Sequence, residues 1–210
     1  MLCLKTNQIQ KEKKIKAEGK LNKIFIIIIF FSLCSISPSQ ADDIKDFQIE
    51  GISIGDSLLE FVTLAEIDKF PGNEEGEYKR TLIQTNLEIY DSLLVTYKKN
   101  DNKYIIEGLT ANIRIYSGIN NCYKKMSSIE KEISSLFSNL TRKNWGILEL
   151  DKPYQTYNPI TYDFENKDRI QIACWDLRIS KDKDNDSDLL KFSLMSSDYM
   201  NAIKLEAVEK

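Results

Sequence analysis

The sequence predicts an α+β fold, a mainly antiparallel sheet with one long amphipathic helix packed on it and a short N-terminal helix. Two observations carry this expectation. Strand-like segments recur in runs separated by hairpin turns, of which Lys99-Asn100-Asp101-Asn102 is the plainest. Between the runs, Ile119, Cys122, Met126, Ile129, Ile133, Leu136 and Leu140 alternate at spacings of three and four, which defines one face of a helix.

The chain opens with residues 1–41, which read as a secretory signal peptide. Lys5, Lys11, Lys13, Lys14, Lys16, Lys20 and Lys23 stand against only Glu12 and Glu18, and the apolar run Ile24 to Ile36 follows. That run has 13 residues, whereas a helix needs roughly 20 to span a bilayer. Ser39-Gln40-Ala41 then supplies small residues at the cleavage positions. The expected location is periplasmic or secreted, with no stable membrane span after cleavage. The alternatives are an anchor formed by an uncleaved N-terminal segment, or a translation start near Leu21. Lipidation at Cys34 is disfavoured because the bulky Leu33 precedes it.

Residues 42–210 are expected to form a single α+β domain. The leader holds seven of the 29 basic and two of the 32 acidic residues, so the remainder carries 22 against 30, a net charge of −8. Such a charge argues against nucleic acid or an anionic membrane surface as a partner. Only Cys122 and Cys174 remain after the leader, and an even pair in an oxidising space reads as a disulfide. Cys122 lies on the apolar helix face. Cys174 shares one side of a strand with Ile170 and Ile172, so the two faces can meet.

The remaining elements follow in order. Asp46 to Ile54 suggests an extended lead-in. Asp56 or Ser57 can cap a helix of about three turns ending at Phe70-Pro71-Gly72, and Ser57-Leu58-Leu59-Glu60 has capping-box spacing. Glu74 to Glu77 reads as a charged loop. Strands are expected at Tyr78–Thr85, Leu87–Tyr90, Leu93–Lys98 and Lys103–Tyr116. After the long helix come a short strand at Ile147–Leu150, a hairpin of Ile160–Phe164 and Ile170–Leu177 around Glu165-Asn166-Lys167-Asp168, and a strand at Leu189–Met195.

The stretch Asp42-Asp43-Ile44-Lys45-Asp46-Phe47-Gln48-Ile49-Glu50-Gly51-Ile52-Ser53-Ile54-Gly55-Asp56-Ser57-Leu58-Leu59 resembles the opening of a family of uncharacterised small exported (periplasmic) proteins of AT-rich marine alphaproteobacteria. The similarity extends through Tyr97 to Ile115, the helix carrying Cys122, and Ile172-Ala173-Cys174-Trp175-Asp176. It implies a periplasmic location and brings no activity. The Gly51-Ile52-Ser53 turn is also similar to the opening of small outer-membrane assembly lipoproteins and β-lactamase-inhibitor-like modules. The chain departs from those in lacking an acceptable lipidation cysteine.

Three patterns invite chemistry. Gly51-Ile52-Ser53-Ile54-Gly55 matches a Gly-x-Ser-x-Gly nucleophile elbow, but the chain contains no histidine to activate the serine. Turn formation into a capped helix explains the glycines as well. Ser128-Ile129-Glu130-Lys131 and Ser180-Lys181-Asp182-Lys183 have Ser-x-x-Lys spacing, in a chain rich in both residue types. Asp182, Asp184, Asp186 and Asp188 resemble the first half of a calcium loop, but Ser187 stands where glycine belongs and Ser193 where a bidentate glutamate belongs. No cofactor is expected, and no metal beyond this weak calcium candidate.

Tyr154, Tyr157, Tyr162 and Trp175 could line a ligand groove, aromatic side chains offering area and a polar tip. The expectation is therefore a non-catalytic periplasmic binding or envelope-support protein stabilised by one disulfide, its partner an envelope protein or a small ligand. The competing classes are a hydrolase-type enzyme working without histidine and a calcium-stabilised structural protein.

Overall fold

The computed structural model describes residues 43–84, 87–137, 139–149, 156–177 and 187–208, with side chains left out at Pro71, Glu75 and 204–208. These residues belong to one compact unit, Ala41–Lys210. The leader expected at 1–41 lies outside the described residues, as do the second Ser-x-x-Lys match, Tyr154, Asp182, Asp184 and Asp186.

Among the described residues, nine strands form one antiparallel sheet. They are β1 (Pro71–Glu75), β2 (Tyr78–Ile83), β3 (Ser92–Lys98), β4 (Ile106–Ile115), β5 (Thr141–Asn144), β6 (Leu148–Glu149), β7 (Thr156–Asp163), β8 (Arg169–Asp176) and β9 (Asp188–Met195). The order is β1-β2-β3-β4-β9-β8-β7-β5, with β6 also pairing with β7. Two hairpin runs, β1 to β4 and β7 to β9, are thus joined where β9 pairs with β4. Among the same residues three α-helices accompany the sheet: α1 (Leu64–Lys69), α2 (Ile119–Leu136) and α3 (Ser197–Val208).

Strand period and register put the apolar residues on one face. Ile172 pairs with Phe192 and Cys174 with Leu190 between β8 and β9, and Phe192 pairs in turn with Ala111 of β4. All five are buried. Against them α2 buries Cys122, Met126, Ile129 and Ile133. The N-terminal segment shares this layer: Phe47 lies 5.5 Å from Phe192 and 5.9 Å from Phe137, which meets Phe164 edge-on at 5.3 Å. Each large side chain buried here contributes about 1.5–3 kcal/mol relative to exposure.

The N-terminal third departs from expectation. In place of one helix of about three turns there is a 3-10 turn at Leu58–Glu60 and then the six-residue α1. Ser57 makes no cap. Its hydroxyl donates to Lys103 O at 2.7 Å, and Leu58 N donates to Tyr104 O, so the chain is pinned to the β3–β4 hairpin where a helix would have begun. The capping box is Thr63 with Glu66: Thr63 Oγ1 accepts from Glu66 N, and Glu66 Oε2 accepts from Thr63 N at 2.8 Å. The Thr63 amide foremost, and next the Thr63 hydroxyl, which also donates to Glu66 Oε2 at 2.8 Å, hold the Glu66 carboxyl below the usual range.

Three further differences have local causes. Leu87–Tyr90 is not a strand, because Glu50 Oε1 accepts from Glu88 N and Ile89 N and takes those donors away from any ladder. The lead-in Asp46 to Ile54 holds a tight turn closed by reciprocal bonds between Ile49 and Ile52 instead of a strand. Glu74 and Glu75, expected in a loop, end β1. β5 and α3 were not foreseen.

Candidate functional site

The Gly-x-Ser-x-Gly segment forms a turn. Gly51 and Gly55 take φ of 81° and 92°, values glycine adopts without a steric cost. Ser53 N donates to Asp56 Oδ2 at 2.8 Å, and the buried Ser53 Oγ has no hydrogen-bond partner, so nothing in the turn activates it. Ser128 and Lys131 both lie exposed on α2. Lys131 lines an open depression with Ser127, Glu130, Ser134 and Ser135, and Ser128 is not part of that lining.

Cys122 and Cys174 sit at bonding distance, with Sγ atoms 2.03 Å and Cα atoms 5.9 Å apart. The pair ties α2 to β8 across the buried layer. Asp188, the one described member of the calcium candidate, is fully buried at the start of β9. Among the described residues no three histidine, cysteine, aspartate or glutamate side chains stand close enough to hold a metal ion.

The four aromatic candidates do not form one groove. Tyr162 lies on the face under α2, where it is buried and donates to Glu130 Oε1 at 3.1 Å. Arg142 of β5 donates to the same oxygen at 2.7 Å, so Tyr162 belongs to a strand–helix polar cluster. Burial, and next the Glu130 carboxylate, push its phenol up. The parity that separates Tyr162 from Tyr157 places Tyr157 on the opposite face, where its ring lies 5.0 Å from that of Trp175.

That opposite face carries the arrangement with most chemical potential. Tyr157 and Trp175 are cross-strand partners in β7 and β8, and both are partly exposed. Lys191 of β9 pairs with Ala173, and its ammonium reaches diagonally to 3.7 Å from the centre of the Trp175 ring. Burial, and secondarily the like charge of Arg80, hold this ammonium below the ordinary lysine range. No carboxylate pairs with Lys191 among the described residues. The indole Nε1 of Trp175 is a buried donor without an acceptor.

Pro159 and Ala173, paired and buried, lie beside this cluster. Trp145 stands beyond it, 42% exposed, with its Nε1 donating to Thr161 Oγ1 at 3.2 Å and its backbone N to Pro159 O. Lys143 lies over the Trp145 ring. Two indoles, each with a lysine on its face, therefore flank the buried Pro159–Ala173 pair.

Lys191, Lys143 and Trp145 escaped sequence reasoning. The alternation Leu190-Lys191-Phe192-Ser193-Leu194 does announce that Lys191 faces away from the core. Its position on Trp175 depends on the β8–β9 register, which no local pattern supplies. No described helix is long and apolar enough to cross a membrane. Comparison of the chain with family models, curated proteins and solved structures finds no match.

Proposed function

We propose that the chain is a non-catalytic binding protein of the cell envelope, exported to the periplasm or secreted, whose ligand rests on the sheet face that bears Tyr157, Trp175 and Lys191. The observation that carries this reading is the partly exposed Tyr157–Trp175 pair with Lys191 across it, a lysine that no carboxylate pairs among the described residues. Aromatic area beside an uncompensated charge favours recognition, because covering it removes apolar surface and can give the charge a partner. In this reading α2 is the amphipathic helix that covers the other face, and the Cys122–Cys174 pair is a disulfide holding the two together. The signal-like leader and the resemblance to small exported proteins support the location.

Thermal shift against fractionated periplasmic extract tests it, with Trp175→Ala as control. A fraction that raises the melting temperature of the wild type by two degrees or more and leaves the variant unmoved is the expected result. Equal shifts in both proteins, or none in any fraction, would count against this face.

A further inference from the structure

We propose that residues 59–70 form a docking surface for a cationic amphipathic segment of a partner protein, one that presents lysine or arginine beside apolar side chains. This surface lies against β2, with β3, β4 and β9 between it and β8. It therefore goes beyond the binding face proposed above and stands or falls without it.

Two independent properties converge on this segment. The first is apolar exposure. Leu59, Phe61, Leu64 and Phe70 are each between 38% and 51% exposed, and they are half of the eight large hydrophobic side chains exposed among the described residues. Clustered exposure marks an interaction surface, whereas singly scattered residues do not. The cause is local, because the 3-10 turn Leu58–Glu60 and the six-residue α1 bury only Leu58 and Ile67. The second property is charge. Residues 42–77 carry eleven acidic side chains against two basic, and residues 78–210 nineteen against twenty. The negative charge is thus concentrated in the stretch that contains the apolar cluster. Within 59–70, Glu60, Glu66 and Asp68 are all exposed, against the single basic Lys69. Glu66 closes the Thr63 capping box, and the Lys69 ammonium lies 5.3 Å from the centre of the Phe70 ring. Among the described residues Glu60 and Asp68 make no ion pair.

The surface is preformed. The capping box fixes the start of α1, and at its end Phe70 O accepts from Thr81 Oγ1 at 3.1 Å and from Leu82 N at 3.4 Å. A partner does not have to order it, which favours binding. Beside it lies a cavity of about 70 Å³, lined in part by Val62, Ile67, Phe70, Leu82 and Ile83. Small-molecule sites measure roughly 300–1,000 Å³, so this cavity suits a side chain of a partner and not a separate ligand. An anionic partner meets like charge here, whereas basic side chains beside apolar ones match both properties.

The test uses the protein as recovered from cells and three labelled amphipathic peptides of about four helical turns. Their two faces carry leucine and lysine, leucine and glutamate, or serine and lysine. Fluorescence anisotropy gives the affinities, and the backbone amide signals of residues 59–70 locate the contact. The leucine–lysine peptide is expected to bind at least about tenfold more tightly than either of the others and to shift those signals. Phe61→Ser/Leu64→Ser and Glu60→Gln/Asp68→Asn should each weaken it about tenfold. Glu149→Gln/Glu165→Gln, which removes the same charge elsewhere, should stay within about twofold of the wild type. Equal binding of the serine–lysine peptide would reduce the contact to bulk charge and overturn the docking surface, as would equal weakening by Glu149→Gln/Glu165→Gln. Equal binding of the leucine–glutamate peptide would overturn the cationic partner. A leucine–lysine peptide that does not bind, or that leaves the signals of 59–70 unmoved, would overturn the proposal outright. Sedimentation of the wild type alone addresses the other occupant: a dimer that Phe61→Ser/Leu64→Ser dissociates would assign the surface to a second copy and overturn the proposal as well. The comparison of peptides on the wild type decides the matter even where that double variant does not fold.

Discussion

Tyr90 shows how a single side chain sets a limit on the conditions under which the fold persists. It is 7% exposed, and burial pushes its phenol up to about 12, with the Glu50 and Glu132 carboxylates adding to the effect. In the unfolded chain the same phenol ionises near 10. A raised folded value means that the stability it carries is whole below pH 10 and is lost as pH rises through about 12. Two pKa units correspond to about 2.7 kcal/mol at most. Urea midpoints of wild type and Tyr90→Phe should therefore diverge from one another between pH 10 and 12, the wild type falling faster. Parallel decline of the two would show that Tyr90 does not govern the alkaline limit. Sequence reasoning could place such residues only by parity. Trp175 was legible as facing away from Cys174, but Tyr157 lay outside the expected strand Ile160–Phe164, so its pairing with Trp175 was not. Lys191 was not tied to them, because a cross-strand diagonal exists only once register is fixed.

At the scale of elements, legibility followed how local the forces are. The hairpin at Lys99–Asn102 was readable because its closure is local: the Asp101 carboxylate accepts from Lys103 N and Ile105 N, both at 2.9 Å, and Asp101 N donates to Lys98 O. β1 was not, since Pro71-Gly72-Asn73-Glu74-Glu75 has the composition of a turn. It is a strand because β2 offers a ladder, and Gly72 allows the approach: a Cβ there would meet Arg80 O at 2.7 Å. α3 was missed for a related reason, its first turn being held by a residue distant in sequence. Asp168, only 5% exposed, accepts from Ser197 N at 2.7 Å through Oδ1 and from Asn166 Nδ2 at 2.8 Å through Oδ2. Removing that carboxylate leaves the Ser197 N–H without its acceptor at the start of the helix. Asp168→Ala is expected to cost about 2 kcal/mol. Faster hydrogen exchange in α3 than in α2 would mark the effect as local. An unchanged urea midpoint would show that Ser196 suffices, whose Oγ already accepts from Tyr199 N at 3.1 Å.

For the whole molecule, the decisive constraint is the link between its helical layer and its sheet. Cys122 and Cys174 are separated by 52 positions, so closing that loop lowers the entropy of the unfolded chain by about 4 kcal/mol in free-energy terms. A domain of ordinary stability, about 5–15 kcal/mol, would lose a large part of its margin on reduction. The double variant Cys122→Ser/Cys174→Ser should therefore unfold at clearly lower urea concentration than the oxidised protein and match the wild type held in reductant. The other two cysteines test the proposed leader, because Cys3 and Cys34 lie within residues 1–41. Intact mass after denaturing alkylation of the protein recovered from cells, with peptide mapping of the alkylated sites, reads both questions at once. The expected species starts at Asp42 and carries no alkyl group. Two alkyl groups mapped by peptide digestion to Cys3 and Cys34, on a chain that keeps residues 1–41, would preserve the Cys122–Cys174 link and turn the leader into an anchor. Two alkyl groups on a chain beginning at Asp42 would overturn the link, and helix and sheet would then be held by packing alone.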